Sequence, residues 1–377
     1  MLMLAPFGAE ADTRESAAYR FDIAHIGDVL SNVDGGRRRA TRSLHNLDLM
    51  LTVGGERAFG WHGATLFAHG FYNNGTRFSK DIVGDAQDVS NITANAEAFR
   101  LFEAWVDQRF MDDRLSLRLG LYDLNSEFDV NETGGLFMNG AHGMGTDLGQ
   151  TGRNGPSVFP VTSLAARAEV KLADNWLMRA AVLDGVPGDP AHPKRTAIKL
   201  GQGDGALLAA EVNYLAADLK VALGAWRYTA RFEDLATHAT RRGNDGFYAL
   251  VERRLYSEAA DPSQGLSVYG RIGRASPAFN NFAMYFGAGA VYSGLFPARP
   301  ADEFGFAVAW AETGSPRRRT AAGKREVNLE LTYSARLHAN FAVQPNVQWV
   351  INPGADPGLG NALVLGVRLM FDWTIAR

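Results

Sequence analysis

Apolar residues recur at every second position along most of this chain. In 115–122, Leu115, Leu117, Leu119 and Leu121 alternate with Ser116, Arg118, Gly120 and Tyr122. A period of two marks a β-strand with one apolar face and one wet face. The alternation breaks at Asp123, where Asp123, Asn125, Glu127 and Asp129 form a run that must lie in water or over a polar cavity. Upstream, 19–23, 47–53, 61–72 and 102–107 alternate in the same way, with turn-rich spacers such as Asn73-Asn74-Gly75 between them. The pattern resumes at 164–172, 176–182, 208–214 and 219–225, and more briefly at 249–252, 266–271 and 284–290. It is cleanest in the last third, at 304–310, 327–333, 341–349 and 363–373.

These segments amount to about sixteen candidate strands, an even number of the kind a closed antiparallel barrel needs. A soluble β-sandwich alternates too, so periodicity alone does not choose between water and lipid. Two features favour lipid. The apolar set is almost wholly aliphatic or aromatic, and the opposite set carries charges around the whole sheet (Arg118, Glu211, Glu330, Arg368), as a water-filled lumen would require. Closure is then obligatory, because an unpaired sheet edge in lipid leaves backbone groups unsatisfied. Aromatics near strand ends fit interfacial girdles: Tyr19, Trp61, Tyr72, Tyr122, Trp176, Tyr214, Trp310, Tyr333, Trp349 and Trp373.

Two segments interrupt the pattern. Residues 123–160 are rich in Gly and Asn and end in Gly155-Pro156; a loop of this length in a compact protein is usually functional. Its first part, Asp123 to Asp129, is expected to fold back and narrow the opening. Residues 184–205 form a second, Pro/Gly-rich loop.

Composition narrows the possibilities. Mean hydropathy is -0.15, and no run approaches the roughly 18 apolar residues of a spanning helix. That excludes a helical membrane protein and leaves a barrel open. A net charge of -3 gives no support for a nucleic-acid partner. Of the 38 basic residues nearly all are arginine, whose planar fork binds hydroxyls and carboxylates with fixed geometry. The chain has no cysteine, hence no disulfide, thiolate nucleophile or Cys-based zinc site. The 8 histidines are scattered without ligand spacing. No G-x-S-x-G elbow or phosphate-cradling glycine loop opens a helix. Read as a calcium loop, 123–134 has Phe128 and Gly134 where Gly and Glu are needed. No cofactor, metal or catalytic residue is expected.

What remains is a combination of Arg, Trp, Tyr and carboxylates. A sugar offers many hydroxyls and a flat CH face, so its site needs planar donors, acceptors and an aromatic surface. Arg100, Glu103, Trp105 and Asp107 are placed on one face of a strand, and Arg118 and Tyr122 on the inward face of the next. Generic wetting of the bore accounts for any one of them equally well.

At these residues the chain resembles the carbohydrate-selective porins of the Gram-negative outer membrane, the OprB family. The carrying stretches are FRLFEAWVDQRF (99–110), DRLSLRLGLYDLNSEFDVNETGGLFMN (114–139), GPSVFPVTSLAARAEV (155–170) and LDGVPGDP (183–190). The resemblance implies a sixteen-stranded transmembrane β-barrel with infolded loops. It also implies passive passage of mono- or oligosaccharides through an Arg-lined constriction. Outer-membrane lipid and lipopolysaccharide are implied surroundings, and a homo-oligomer is one possible state. Carried over onto this chain, the constriction residues are Arg100, Glu103, Trp105, Arg118, Tyr122, Asn125 and Glu127.

Alternatives stay open at this point: a general or anion-preferring diffusion pore, a barrel enzyme of the outer membrane, or a soluble sugar-binding β protein. Residues 1–11, with Ala9-Glu10-Ala11 shaped like a cleavage site, read as the remnant of an export signal, and 12–377 as one barrel domain. The family typically ends on an aromatic residue, whereas Thr374-Ile375-Ala376-Arg377 follow Trp373 here.

Overall fold

The computed structural model describes residues 17–319 and 323–376; the export-signal expectation for 1–11 lies outside them. Nine strands come first: β1 Tyr19–Gly36, β2 Ala40–Gly54, β3 Ala64–Asn73, β4 Ala98–Phe110, β5 Leu115–Tyr122, β6 Ser163–Ala173, β7 Trp176–Asp184, β8 Ala206–Ala216 and β9 Leu219–Tyr228. A two-stranded loop hairpin follows, β10 Phe232–Glu233 with β11 Thr240–Arg241. Then come β12 Asp245–Ser257, β13 Gly265–Ala275, β14 Phe282–Ser293, β15 Glu303–Thr313, β16 Arg325–His338, β17 Phe341–Ile351 and β18 Gly360–Ala376. All but the hairpin join in one closed barrel in which sequence neighbours pair antiparallel. The sixteen barrel strands coincide one for one with the sixteen alternating segments of the sequence. Closure runs from Arg20↔Ala376 to Gly36↔Gly360, so the residues after Trp373 continue β18 as paired strand.

The apolar set faces outward. Leu117, Leu119, Leu223, Phe247, Ile272, Phe306, Leu331, Val347 and Leu365 are all exposed, a continuous band that water would penalise and hydrocarbon accepts. Connections 174–175, 217–218 and 339–340 are short at one end of the barrel, whereas 74–97, 123–162 and 185–205 are long at the other. That asymmetry places the short turns, the start of β1 and the end of β18 on the periplasmic side. Trp176 meets Tyr214 at 5.1 Å with tilted planes, and Phe341 stacks on Phe371 at 4.5 Å, toward that rim. Tyr72, Phe99 and Trp349 mark the outer one. Two sequence assignments change here. Trp61 lies in the turn before β3 rather than in the strand. Tyr122 is not a girdle residue: it points inward, buried, because the odd-numbered leucines of β5 own the outer face.

The lumen is not the open water-filled bore that its charges suggested. Glu211, Glu330 and Arg368 do point inward, but they are buried beneath the two infolded segments 74–97 and 123–162. These segments also bring apolar side chains of their own. Phe78, Ile82, Val89, Ile92 and Met138 pack with Leu30, Leu44, Val350 and Val364 of the wall into one cluster. A wall position that looks wet in the sequence becomes dry once a loop lies on it.

Candidate functional site

Gly120 opens the site. Its φ of +145° and a Cβ position 2.1 Å from the Ala104 carbonyl oxygen admit only glycine. The missing side chain leaves room for Trp105, which faces it across β4 and β5. Trp105 lies between Phe67 of β3, stacked at 4.9 Å, and Arg118 of β5, whose guanidinium carbon sits 3.7 Å from the ring centroid. Both faces of the indole are therefore taken, and its Nε1 donates to Glu103 Oε1 at 3.2 Å. A cation held over an indole is stabilised by the ring quadrupole. Arg118 is fixed further by Nε donating to Asp107 Oδ2 at 3.0 Å and by Nη1 at 3.4 Å from Glu127 Oε1. It still keeps 15% of its side chain exposed.

Glu127 comes from the loop, as the fold-back of 123–129 predicted. Arg167 of β6 grips it through Nε to Oε2 and Nη2 to Oε1, both at 2.7 Å, and the Tyr122 hydroxyl donates to Oε2 at 2.5 Å. Burial opposes ionisation of Glu127, but the Arg118 and Arg167 guanidiniums outweigh it and hold its pKa below the ordinary glutamate value. Arg167 also bonds Asp107 at 2.9 Å and Ser116 at 2.6 Å. Next along the wall, Arg179 of β7 pairs with Glu169 at 2.6 Å, and Lys220 of β9 lies 3.3 Å from Glu252. The row is a balanced ladder of both signs rather than a basic patch.

Carboxylates on the wall hold the loops by their backbone. Glu211 accepts from Asp129 N at 2.8 Å, and Glu252 from Glu132 N and Thr133 N at 3.1 and 2.6 Å. Glu330 accepts from Met138 N and Asn139 N at 2.6 and 3.0 Å. Glu326 takes Ala86 N at 2.8 Å and Gln87 N at 3.0 Å. Arg271 of β13 adds a double ion pair, to Asp129 at 2.7 Å and to Asp147 at 2.6 Å. Segment 123–162 thus crosses from β5 to β16 and returns, while 74–97 covers β15 to β1. The two bond to each other through Asn91 N to Met138 O at 2.7 Å and Gly140 N to Asp88 O at 2.8 Å.

Between them lies a partly enclosed cavity of about 140 Å³. Gln87, Asp88, Asn91, Asn125, Gln150 and Phe159 line it. Its chemistry is one carboxylate, several amides and two aromatic rings, Phe137 and Phe159, with no arginine or lysine in the lining. Gln87 Oε1 and Thr146 Oγ1 on its wall have no hydrogen-bond partner among the described residues.

The sequence-proposed residues divide accordingly. Glu103, Trp105, Arg118, Tyr122 and Glu127 come together in one cluster. The strict period would put Arg100 and Glu103 on opposite faces, but a β-bulge at 102 turns both inward. Arg100 is elsewhere, where β5 leaves the sheet and exposes the edge of β4. It donates to the carbonyls of Pro160, at 2.7 Å, and Pro193, tying two loops across the gap. Thr196 covers the same edge by accepting from Leu101 N at 2.8 Å. Asn125 is used inside the loop, its amide reaching the carbonyls of Phe128, Asp129 and Gly143, with its residue also at the cavity. Sequence reasoning missed Arg167, Arg179, Lys220 and the loop-holding Glu252 and Glu326. Inward parity could have nominated the first three; nothing local marks a carboxylate that will meet a loop from far along the chain.

Comparison with known proteins agrees with the barrel fold. The model of the family described as "Carbohydrate-selective porin, OprB family" matches residues 38–373. Porin B of Pseudomonas aeruginosa is 23% identical, over 97% of this chain and 90% of that protein. The putative porin QuiX of Acinetobacter baylyi is 20% identical, over 98% and 93%. Among solved structures, OprB of Pseudomonas putida at high pH superposes with a TM-score of 0.84 at 20% identity, covering 94% of each chain. The outer-membrane channel DcaP of Acinetobacter baumannii superposes at 0.59 with 10% identity, covering 98% of this chain and all of that one.

Proposed function

The chain belongs to the carbohydrate-selective porin family and is a sugar-selective channel of the outer membrane, and we propose that its selectivity arises at two successive surfaces. The first is the amide-lined cavity between the infolded segments, where Gln87, Asp88, Asn91 and Gln150 exchange hydrogen bonds with sugar hydroxyls. The second is the charged wall, where Arg118 presents Nη2, the guanidinium nitrogen that neither Asp107 nor Glu127 engages. Trp105 and Tyr122 position Arg118 and Glu127 rather than stack on sugar, since the indole faces are covered and Tyr122 is buried. Arg100 acts through the loops it ties together. Both surfaces bind weakly by design, because a site that holds its solute tightly cannot conduct. The barrel catalyses no reaction in this reading, and its outer face meets lipid and lipopolysaccharide.

The observation that carries the proposal is the immobilised yet solvent-reachable guanidinium of Arg118, 3.7 Å over Trp105. Equal provision of both signs along the wall argues against a general anion-preferring pore. Sugar-induced block of single-channel current in planar bilayers tests it. Arg118→Ala is expected to weaken the block about tenfold, the worth of one charge-assisted hydrogen bond. Arg100→Ala is expected to disturb baseline conductance through the loops before it changes sugar affinity. Unaltered block in Arg118→Ala removes the charged wall from the site.

A further inference from the structure

Beneath the two infolded segments, one polar chain runs along the inner wall from β2 to β5. At its outer end Asn73 Nδ2 donates to Ile92 O of segment 74–97 at 2.9 Å and to Asn46 Oδ1 at 3.0 Å. Asn46 Nδ2 donates to Asp48 Oδ2 at 2.7 Å, and the other oxygen of Asp48 lies 2.9 Å from His69 Nε2. On the far side of the ring, His69 Nδ1 is 3.9 Å from Glu103 Oε2. Glu103 Oε1 accepts from Trp105 Nε1 at 3.2 Å and from Asp123 N at 3.1 Å, where segment 123–162 begins. His69 thus links a chain that reaches one infolded segment to the carboxylate that holds the other, together with the indole beneath Arg118.

Strand parity and register put the ring there. Phe67, His69, Phe71 and Asn73 share the buried inner face of β3. Glu103 of β4 is the cross-strand partner of His69, and Asp48 of β2 lies two positions from its partner Met50 on the other side. Asp48, His69 and Glu103 are all buried, and Phe102 packs edge-on against the imidazole at 5.2 Å. A neutral imidazole carries one N–H and one lone pair. Between two carboxylates it satisfies one and turns its lone pair on the other, whereas the imidazolium donates to both. Among the described residues no Arg or Lys lies within ion-pair distance of Asp48 or Glu103, so the ring is also the cation that offsets two buried anions. The charged groups that face it are all acids: Asp48 on β2, Glu103 on β4 and Asp123 at the start of the infolded segment.

We propose that His69 is the positioning residue of the charged wall: as an imidazolium shared by Asp48 and Glu103, it holds Glu103 where one carboxylate oxygen takes both Trp105 and Asp123. It thereby sets the place of Arg118 and of the first residue of the loop, and the proposal rests on the reading that Arg118 meets sugar. Loss of the ring proton turns a lone pair on a carboxylate, and Glu103 is no longer held. Sugar affinity then falls as pH rises.

Sugar-induced block of single-channel current, followed from mildly acidic to alkaline pH in planar bilayers, tests this. In the unaltered chain, block is expected to weaken about threefold on the alkaline side, less than in Arg118→Ala because Trp105 keeps its stack on Phe67. His69→Gln, which keeps a donor but no charge, is expected to show the weakened block at every pH. In the Arg118→Ala background it is expected to add nothing, since both changes act through one guanidinium. Should His69→Gln fail to fold, Asp48→Asn decides: with one acid gone, the midpoint of the pH profile is expected to move to lower pH. Native block in His69→Gln, further loss in the double variant, or an unmoved midpoint in Asp48→Asn overturns the proposal. Unaltered block in Arg118→Ala instead overturns the reading on which it rests.

Discussion

Two walls face each other across the barrel and use the same residue types for different ends. On β4 to β7, Asp107 and Glu169, with Glu127 of the loop laid on them, all pair with arginines, and Arg118 and Arg179 remain reachable by water. On β16 and β17, Glu326 and Glu330 are fully buried and accept from backbone N–H groups, with Asn346 adding an amide at 2.6 Å to Glu330. Charge on the first wall is displayed to a solute. On the second it is consumed by the architecture, and its removal should alter the shape of the passage rather than its affinity. A count of inward charges treats the two walls alike; only their partners separate them.

The sharpest way to break this comparison is Glu330→Ala. It strands the N–H groups of Met138 and Asn139, each bonded to a charged acceptor, and should cost about 3–6 kcal/mol. Release of segment 123–162 should raise single-channel conductance and abolish sugar selectivity, with Glu330→Gln intermediate. Unchanged conductance would show that the loop does not depend on its carboxylate. On the other wall, Trp105→Leu should leave conductance near normal while weakening sugar block about tenfold through a misplaced Arg118. Combined with Arg118→Ala it should add little, since both changes remove one arrangement; full additivity would mean that the indole touches sugar itself.

A smaller effect concerns His142, which sits in the infolded loop with its Nδ1 2.6 Å from the Tyr269 hydroxyl. Burial pushes its pKa down to about 3. The unfolded chain therefore binds a proton that the native state refuses between pH 6.5 and 3, so stability falls as pH falls through that window. The loss should reach about 1.4 kcal/mol by pH 5.5. Denaturant midpoints measured against pH, with His142→Gln as the reference, check it: the difference between the two should be constant near pH 8 and shift against the native chain by that amount as pH falls to 5.5.

Much of the fold could be read from residue order. The period of two identified every barrel strand, and the break after Tyr122 located the segment that folds into the lumen. The candidate cluster was partly legible for the same reason: Glu103, Trp105, Arg118 and Tyr122 lie on adjacent strands whose parity is local. The bulge at 102 and the gap that Arg100 closes were not legible, because each depends on a neighbouring strand or loop.

The chain alone determined that strands with one apolar and one polar face must form, because alternation commits each side chain to a face as soon as the strand exists; closure with the apolar face outward is a property of the assembled sheet. Which inward charges stay wet was decided by tertiary structure. Glu326 meets Ala86, and Glu330 meets Met138, across separations in sequence that no local pattern encodes. A carboxylate's role is set by whether a guanidinium, a backbone N–H or water is its nearest partner.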